Sequence, residues 1–166
     1  MRAPLLPALL LGVGLGGFVD GIGFHEILQW HHILSDEGCC PTETVAGLED
    51  NTLADGFFHA VTWLFVFAGT IAATRAWQQG RLAPPWRLHF GAMLAGWGAF
   101  NLVEGLIAHQ ILGIHHLRDD LGGPLAWDLG FLAFGALLML IGWALISSSA
   151  RGSKGVMSNT KSGGPN

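Results

Sequence analysis

The sequence contains no tyrosine and few charged residues. Only 12% of its 166 residues are charged, and just eight are Lys or Arg. Soluble domains average about 25% charged residues, so a soluble domain of this size would lack polar surface. With so few basic residues, the chain has no basic patch that could bind nucleic acid. These shortages exclude a soluble domain and a nucleic-acid-binding role, and they indicate an integral membrane protein whose partner is the lipid bilayer.

Apolar residues are abundant, at 51% of the chain. Four apolar stretches reach the roughly 20 residues that cross a bilayer core. They predict transmembrane helices at about 5–34, 53–75, 88–117 and 125–147. The predicted fold class is therefore all-α, a polytopic membrane bundle of four transmembrane helices within residues 1–147. Residues 148–166 are rich in Ser, Gly, Lys and Asn, a composition that predicts a disordered cytoplasmic tail.

Basic residues fall almost entirely at one end of the predicted bundle. Arg118 is the exception, and it shares its end, called the outer end below, with most of the acids. The positive-inside rule predicts that both termini are cytoplasmic. The inner-end basic residues are Arg2, Arg75, Arg81, Arg87, Arg151, Lys154 and Lys161, and the outer-loop acids are Asp36, Glu37, Glu43, Glu49, Asp50, Asp119 and Asp120.

The chain contains an internal repeat. Residues 20–32 (DGIGFHEILQWHH) align without a gap with residues 104–116 (EGLIAHQILGIHH), an offset of 84 positions from Asp20 to Glu104, and every histidine recurs. The second and fourth helices match more weakly, Asp55 with Asp128 at an offset of 73. We therefore predict two helical hairpins of common origin, a parallel repeat about an axis along the membrane normal.

Three strings resemble a known bacterial family. VDGIGFHEILQWHH, ADGFFHA and FNLVEGLIAHQILGIHH are similar to the membrane-protein family catalogued as domain of unknown function 2243. The resemblance covers nearly all of residues 8–147 and implies a four-span protein of the bacterial plasma membrane. It implies no activity, and the residues identify no catalytic group, so the sequence does not show whether the protein is an enzyme.

Ionisable residues within the spans form layers in the outer half of the predicted bundle. Such residues usually face the bundle interior or a water-filled cavity. The outer layer contains His31, His32, His115 and His116 with Asp55 and Asp128, all of them candidate metal ligands. The middle layer contains His25, His59 and His109, and Asp20 and Glu104 lie deepest, near the bilayer centre.

The three histidines of the middle layer predict a metal site. Neutral imidazoles bind Zn, Cu or Fe, and nearby carboxylates such as Asp55 and Asp128 orient the rings. A b-type haem with two axial histidines is the alternative cofactor. Covalent c-type haem is excluded because there is no C-x-x-C-H motif. The H-x-x-H-H spacing of membrane desaturases is also absent, which argues against a di-iron oxygenase.

Three functions remain open at this point. The first is binding of a metal or haem for redox chemistry or metal handling. The second is a proton-coupled transporter or channel component, with Asp20 and Glu104 as a proton relay. Two other roles are open for these acids: they could support a metal site, or they could hydrogen-bond to each other across the repeat axis. The third is a structural or assembly subunit of a larger complex or homo-oligomer. Cys39 and Cys40 would strain a disulfide between themselves, so intermolecular pairing and soft-metal binding both remain open.

Overall fold

Four long helices build the structure. The computed structural model describes residues 4–35, 38–81 and 86–162, with side chains as far as Ser149. The helices are α1 (Leu6–Phe18), α2 (Val45–Gln78), α3 (Trp86–Glu104) and α4 (Leu125–Ser162), and the described residues contain no strand. With their extensions, all four are long and apolar enough to cross a membrane, which confirms the predicted all-α, four-span class. Outside the described part lie Arg2, Asp36 and Glu37, and the side chains of Arg151, Lys154 and Lys161.

The first and third helices each continue as a wider, π-helical segment. We call these π1 (Val19–Ile27) and π2 (Gly105–Leu112). A left-handed residue follows each, Gln29 with φ 50° and Gly113 with φ 62°, at matched positions of the repeat. Left-handed backbone does not continue a right-handed helix. The first and third spans therefore end near residues 27 and 112, and the predicted ends at about 34 and 117 are wrong.

Two other helix boundaries differ from the sequence prediction. α2 begins at Val45 rather than about 53, because the Thr44 hydroxyl caps the helix by accepting a hydrogen bond from the Gly47 N–H at 3.1 Å. α4 extends to Ser162, through most of the segment that composition predicts to be disordered. Extending an existing helix adds a backbone hydrogen bond for each residue fixed and needs no new nucleus.

The helices pack in the order α2, α1, α3, α4. α1 and α3 contact each other at the centre, α2 packs along α1, and α4 packs along α3. Glycines bring the two central backbones together: a Cβ on Gly12 would lie 2.0 Å from the Met93 carbonyl oxygen, and one on Gly96 would lie 2.2 Å from the Leu9 carbonyl oxygen. These two contacts are equivalent under the repeat offset. The common origin of the hairpins stays a prediction.

The described parts of the two outer loops, residues 28–35, 38–44 and 113–124, fold over the same end of the bundle. The Asp120 N–H donates a hydrogen bond to the Trp30 carbonyl at 3.1 Å. The Arg118 guanidinium lies 4.5 Å from the Trp30 ring and 5.0 Å from the Trp127 ring. Arg118 also donates two hydrogen bonds to Asp120, which lower the pKa of the Asp120 carboxyl and raise the pKa of Arg118.

The cysteines of the first outer loop pair with each other. A disulfide joins Cys39 to Cys40. The sequence alone favoured other partners, because a disulfide between neighbouring cysteines is strained. Asn51 of α2 holds this turn by donating a hydrogen bond to the Cys40 carbonyl at 2.8 Å, and its side-chain oxygen accepts one from the Leu34 N–H at 3.0 Å. The disulfide thus belongs to a turn that is fastened to the start of α2.

Candidate functional site

Four buried imidazole rings pack together where the two halves of the molecule meet. The His31 and His115 rings are parallel, with centroids 4.8 Å apart and planes 5° apart. His25 meets His31 edge-on at 4.4 Å, and His109 meets His115 edge-on at 4.9 Å. His25 and His109 project from π1 and π2, whereas His31 and His115 follow the left-handed turns that fold the chain back into the bundle. Matched positions of the repeat thus make matched ring contacts.

A carboxylate at the outer side of the cluster orients the rings of the first copy. Asp55 on α2 accepts hydrogen bonds from His25 Nδ1 at 2.8 Å and from His32 Nδ1 at 2.6 Å. It also accepts one from the Ile33 N–H at 3.0 Å, and its side chain is buried. Three donors therefore fix one carboxylate, and that carboxylate fixes the His25 ring.

Asp128 on α4 has the same role in the second copy. It accepts hydrogen bonds from His116 Nδ1 at 2.6 Å and from the Leu117 N–H at 2.9 Å. His109 Nδ1 lies 3.2 Å from Asp128 Oδ1 without making a hydrogen bond, and Gln110 donates to Asp128 Oδ2 at 3.2 Å. The stacked rings are held differently, by backbone carbonyls across the repeat: His31 Nδ1 lies 3.1 Å from the Leu117 oxygen, and His115 Nδ1 lies 3.3 Å from the Ile33 oxygen.

Two further acids lie on the inner side of the rings. Glu104 Oε1 is 2.9 Å from His115 Nε2 and 3.2 Å from His109 Nε2. Asp20, the matching residue, is one methylene shorter, and its Oδ2 is 3.4 Å from His25 Nε2. Neither Asp20 oxygen makes a hydrogen bond, nor does Glu104 Oε2. The predicted depth of both acids, near the bilayer centre, stays a prediction.

The hydrogen bonds on the outer side determine what the inner side can bind. A neutral imidazole carries one N–H and one lone pair. In all four rings Nδ1 lies within 3.3 Å of a carboxylate or carbonyl oxygen, which favours the tautomer with the hydrogen on Nδ1. With a hydrogen on Nδ1, the Nε2 lone pairs of His25, His109 and His115 lie opposite the carboxylates of Asp20 and Glu104, which are themselves acceptors when ionised. Buried acceptors that face one another are stable only if a proton or a metal cation lies between them.

Two overlapping sets of these residues have the geometry of metal ligands. His25, His31 and His115 form one set, and Glu104, His109 and His115 form the other; within each set the ligand atoms lie within 4.8 Å of one another. The Nε2 atoms of His25, His31 and His109 make no hydrogen bond. The residues present therefore fit a transition-metal ion, with His115 common to both sets.

The predicted middle-layer triad of His25, His59 and His109 does not assemble in the described structure. His59 Nε2 packs against the backbone of Gly21, and His59 belongs to neither ligand set. His31 and His115 take its place. The prediction failed because it assumed regular α-helix to the ends of the spans. The π-helical segments and the left-handed turns change which side chains share a face.

His32 and His116, predicted as possible ligands, bind the orienting carboxylates instead. Their Nδ1 atoms hydrogen-bond Asp55 and Asp128, on the far side of those acids from the ring cluster. Asp55 and Asp128 thus match the predicted role of carboxylates that orient imidazoles.

Sequence reasoning overlooked one polar residue of the core. Asn101 on α3 is buried, and its side-chain oxygen makes no hydrogen bond. The signal was available, since an amide in a transmembrane span is as unusual as a histidine there. Comparison of the two copies did not point to Asn101, because the corresponding residue in the other copy is Gly17.

Comparison with known proteins identifies the family. No curated protein and no solved structure matches this chain. The profile of one protein family matches residues 7–149, which is most of the chain and includes all four spans and the whole ring cluster. The chain therefore belongs to the family described as "Predicted membrane protein (DUF2243)".

Proposed function

We propose that this membrane protein binds a transition-metal ion at the histidine–carboxylate cluster. The observation that carries the proposal is the grouping of four imidazole rings beside Asp20 and Glu104, each ring with a carboxylate or carbonyl oxygen beside its Nδ1. Metal-binding histidines typically donate their other ring N–H to a carboxylate or carbonyl in this way. Asp55, Asp128 and two backbone carbonyls supply those acceptors here.

The ring contacts favour a bare ion over haem. Neighbouring rings of the cluster lie 4.4 to 4.9 Å apart and touch directly. A porphyrin would have to lie between its two axial imidazoles, and these contacts leave it no space. Imidazole with carboxylate suits Cu, Zn or Fe, so these three metals are the candidates.

The proposal also covers the orientation of the chain in the membrane and the chemistry that the site serves. Both termini face the cytoplasm of a bacterial plasma membrane, so the cluster lies in the outer half of the bilayer. The carboxylates beneath the rings give such a site both charge compensation and groups that can take up protons. We therefore assign the site to redox chemistry or metal handling.

Metal analysis of the purified chain tests the proposal. The protein is produced with a tag that contains no histidine, purified in detergent, and examined by elemental mass spectrometry and visible absorption. We expect about one or more Cu, Zn or Fe ions per chain and no Soret band. His115→Ala removes the residue common to both ligand sets, so its metal content should fall by at least tenfold.

His59→Ala is the matched control, because His59 is another membrane histidine outside both ligand sets. Its metal content should equal that of the unsubstituted chain. Circular dichroism of both variants checks that the helices still form. A metal-free chain, or equal metal loss in the two variants, would contradict the proposal, and a Soret band would point to haem.

A proton pathway is the second candidate, and one specific observation favours it. His32, Asp55, His25 and Asp20 form a continuous series of polar contacts from the outer end into the span, at 2.6, 2.8 and 3.4 Å. Imidazoles and carboxylates are the usual carriers of protons in membranes. Metal-free protein in sealed vesicles should then pass protons, and Asp20→Asn should abolish the flux; no flux above that of empty vesicles counts against this function.

A further inference from the structure

The disulfide of the first outer loop joins an accessible cysteine to a buried one. Cys39 is exposed, whereas Cys40 is only 5% exposed. The acids Glu49 and Asp50 on the adjoining turns of α2 are exposed too, which indicates water rather than lipid around this end of the helix. A thiolate attacks a disulfide at the sulfur that it can reach. Attack from water therefore occurs at the Cys39 sulfur, and the Cys40 sulfur is the leaving group.

The buried side of the disulfide is fastened to α2. The Asn51 side chain is fully buried and donates to the Cys40 carbonyl at 2.8 Å and to the Gly47 carbonyl at 3.0 Å. A Cβ on Gly47 would lie 2.2 Å from the Pro41 carbonyl oxygen, so the backbone of the helix and that of the turn are in direct contact. Any movement of the Cys40 carbonyl therefore changes a hydrogen bond of Asn51.

Asn51 connects this turn to the histidine cluster. Its side-chain oxygen accepts a hydrogen bond from the Leu34 N–H at 3.0 Å. The preceding residue, Ile33, donates its N–H to Asp55 at 3.0 Å, and its carbonyl oxygen lies 3.3 Å from His115 Nδ1. This two-residue segment thus links Asn51 to an orienting carboxylate and to the histidine that both ligand sets share.

The connection is an addition to the first copy of the repeat. At the offset of 73 between the second and fourth helices, Leu125, the first residue of α4, corresponds to Thr52. Residues 45–51 of α2, which include Gly47 and Asn51, therefore have no counterpart in α4. The chain has two cysteines, and both belong to the first copy. The first copy thus carries an added element whose contacts run from the disulfide to the shared histidine.

We infer that Cys39–Cys40 is a site of thiol–disulfide exchange whose redox state controls the histidine cluster. The substrate is a dithiol that reaches the outer end of the bundle from water. Its thiolate attacks the Cys39 sulfur, the bond between the two cysteines breaks, and Cys40 leaves as a thiolate that takes up a proton. The second thiolate of the reductant then displaces Cys39, which is protonated in turn. The protein has gained two electrons and two protons, and the dithiol has become a disulfide.

Reduction loosens the backbone that the disulfide holds. The disulfide closes a small ring around the peptide bond between Cys39 and Cys40, and opening this ring frees the backbone on the Cys40 side. The hydrogen bond from Asn51 to the Cys40 carbonyl weakens, and the segment of Ile33 and Leu34 loses its fixed position beside His115. The effect on a metal ligand rests on the proposed function, whereas the exchange reaction and the loosening of the segment do not.

Reduction of the full chain in detergent tests the exchange step. The probe is dithiothreitol, and the free thiols are trapped by alkylation and counted by mass spectrometry. We expect both cysteines to be reduced while circular dichroism shows that the helices remain folded. A disulfide that dithiothreitol reduces only after the helices unfold would overturn the inference.

Hydrogen exchange in metal-free protein tests the connection to the cluster. After reduction, the amides of Ile33 and Leu34 should exchange at least about fivefold faster, as for the weakening of one hydrogen bond. The Leu117 amide is the matched control, because it occupies the position of Ile33 in the second copy and donates to Asp128. Its rate should not change. Equal rates for Leu34 in the two redox states would contradict the connection.

Two variants at neighbouring positions of α2 locate the effect at Asn51. Asn51→Asp keeps an oxygen for the Leu34 N–H but loses the group that donates to Cys40, so Leu34 exchange should no longer depend on the redox state. Thr52→Ala changes an exposed side chain and should preserve that dependence. Redox dependence that persists in Asn51→Asp would overturn the proposed route, and the comparison of oxidised with reduced native chain needs no substitution.

Zinc affinity, measured by competition with a chelator, separates this inference from the metal proposal. A chain with both cysteines replaced by serine represents the open state, because free thiols would bind Zn²⁺ themselves. We expect its affinity to be about three- to tenfold lower than that of the native chain, less than the roughly 10–100-fold cost of removing an orienting partner. Equal affinities overturn the inference while the metal proposal stands. A chain that binds no Zn²⁺ but shows the redox-dependent exchange of Leu34 supports the exchange site while the metal proposal fails.

Discussion

Asp55 and Asp128 have the same role at the scale of single residues. Each collects two imidazole contacts and one backbone N–H, and each lies on a flanking helix, Asp55 on α2 and Asp128 on α4. Such a carboxylate fixes a ring's tautomer and its direction at once. The proposed ligands His25 and His109 are thus positioned by carboxylates outside the two proposed ligand sets.

Replacing one orienting acid should weaken metal binding without removing a ligand. For Asp55→Asn we expect an affinity lower by roughly 10–100-fold, the usual cost of losing a partner that orients a metal-binding histidine. Asp50→Asn, one turn earlier on the same helix and exposed, is the matched control. Competition with a metal chelator measures both affinities. Equal affinities for the two variants would show that Asp55 does not orient a ligand.

At the scale of elements, the close approach of α1 and α3 brings the two halves of the cluster together. Their contact depends on Gly12 and Gly96, where any side chain would meet the opposite backbone. Glycine is therefore required at this crossing, since small residues allow the backbones of two transmembrane helices to approach each other closely.

A methyl group at the helix crossing should separate the central helices. Gly96→Ala places a Cβ 2.2 Å from the Leu9 carbonyl oxygen, and we expect a loss of about 1–3 kcal/mol in the free energy of unfolding, as for overpacked cores. Gly130→Ala on α4 is the control, because nothing lies within 4 Å of its added Cβ. Unfolding in mixed detergent measures both; a stable Gly96→Ala chain would contradict the close crossing.

Hydropathy and spacing predicted the elements better than they predicted the site. His31, predicted in the outer layer, packs against His25 of the middle layer, whereas the number of spans, and the positions of Asp55 and Glu104 on opposite sides of the rings, follow from counting residues along a helix. The ligand geometry does not, because it depends on π-helical turns and on the left-handed Gln29. Glutamine rarely adopts that backbone, so neither periodicity nor composition could indicate where the helix ends. His59 was predicted to be a ligand because its depth in the second span matches that of His25 and His109, and that comparison assumes regular helices.

At the scale of the whole molecule, matched positions of the repeat meet in one cluster. His25 and His31 of the first copy correspond to His109 and His115 of the second, and the stacked His31 and His115 rings join the two halves. The copies differ elsewhere, since the residue that corresponds to Asn101 is Gly17. The sequence repeat indicated the matched histidines, whereas the stacking of rings across the two halves is seen only in the structure.

The orientation of the whole chain is testable by labelling. Reduced Cys39 should react with a membrane-impermeant thiol reagent in intact cells, because the acidic loops are predicted to face outward. The control is Gln79→Cys in a chain whose two native cysteines are serine; Gln79 is exposed beyond the opposite end of α2. It should react only after permeabilisation. The opposite result, in which intact cells label Gln79→Cys but do not label Cys39 in the native chain, would show that the orientation is reversed.

X-ray absorption spectroscopy of the metal-loaded, detergent-purified chain tests the central claim most directly. We predict a first shell of nitrogen and oxygen at about 2.0–2.2 Å, as for histidine and carboxylate ligands, with the outer-shell scattering of at least two imidazoles. That signal should disappear in His115→Ala and persist in His59→Ala. A shell of sulfur from Cys39 and Cys40, or a spectrum that His115→Ala leaves unchanged, would contradict a metal site at the ring cluster.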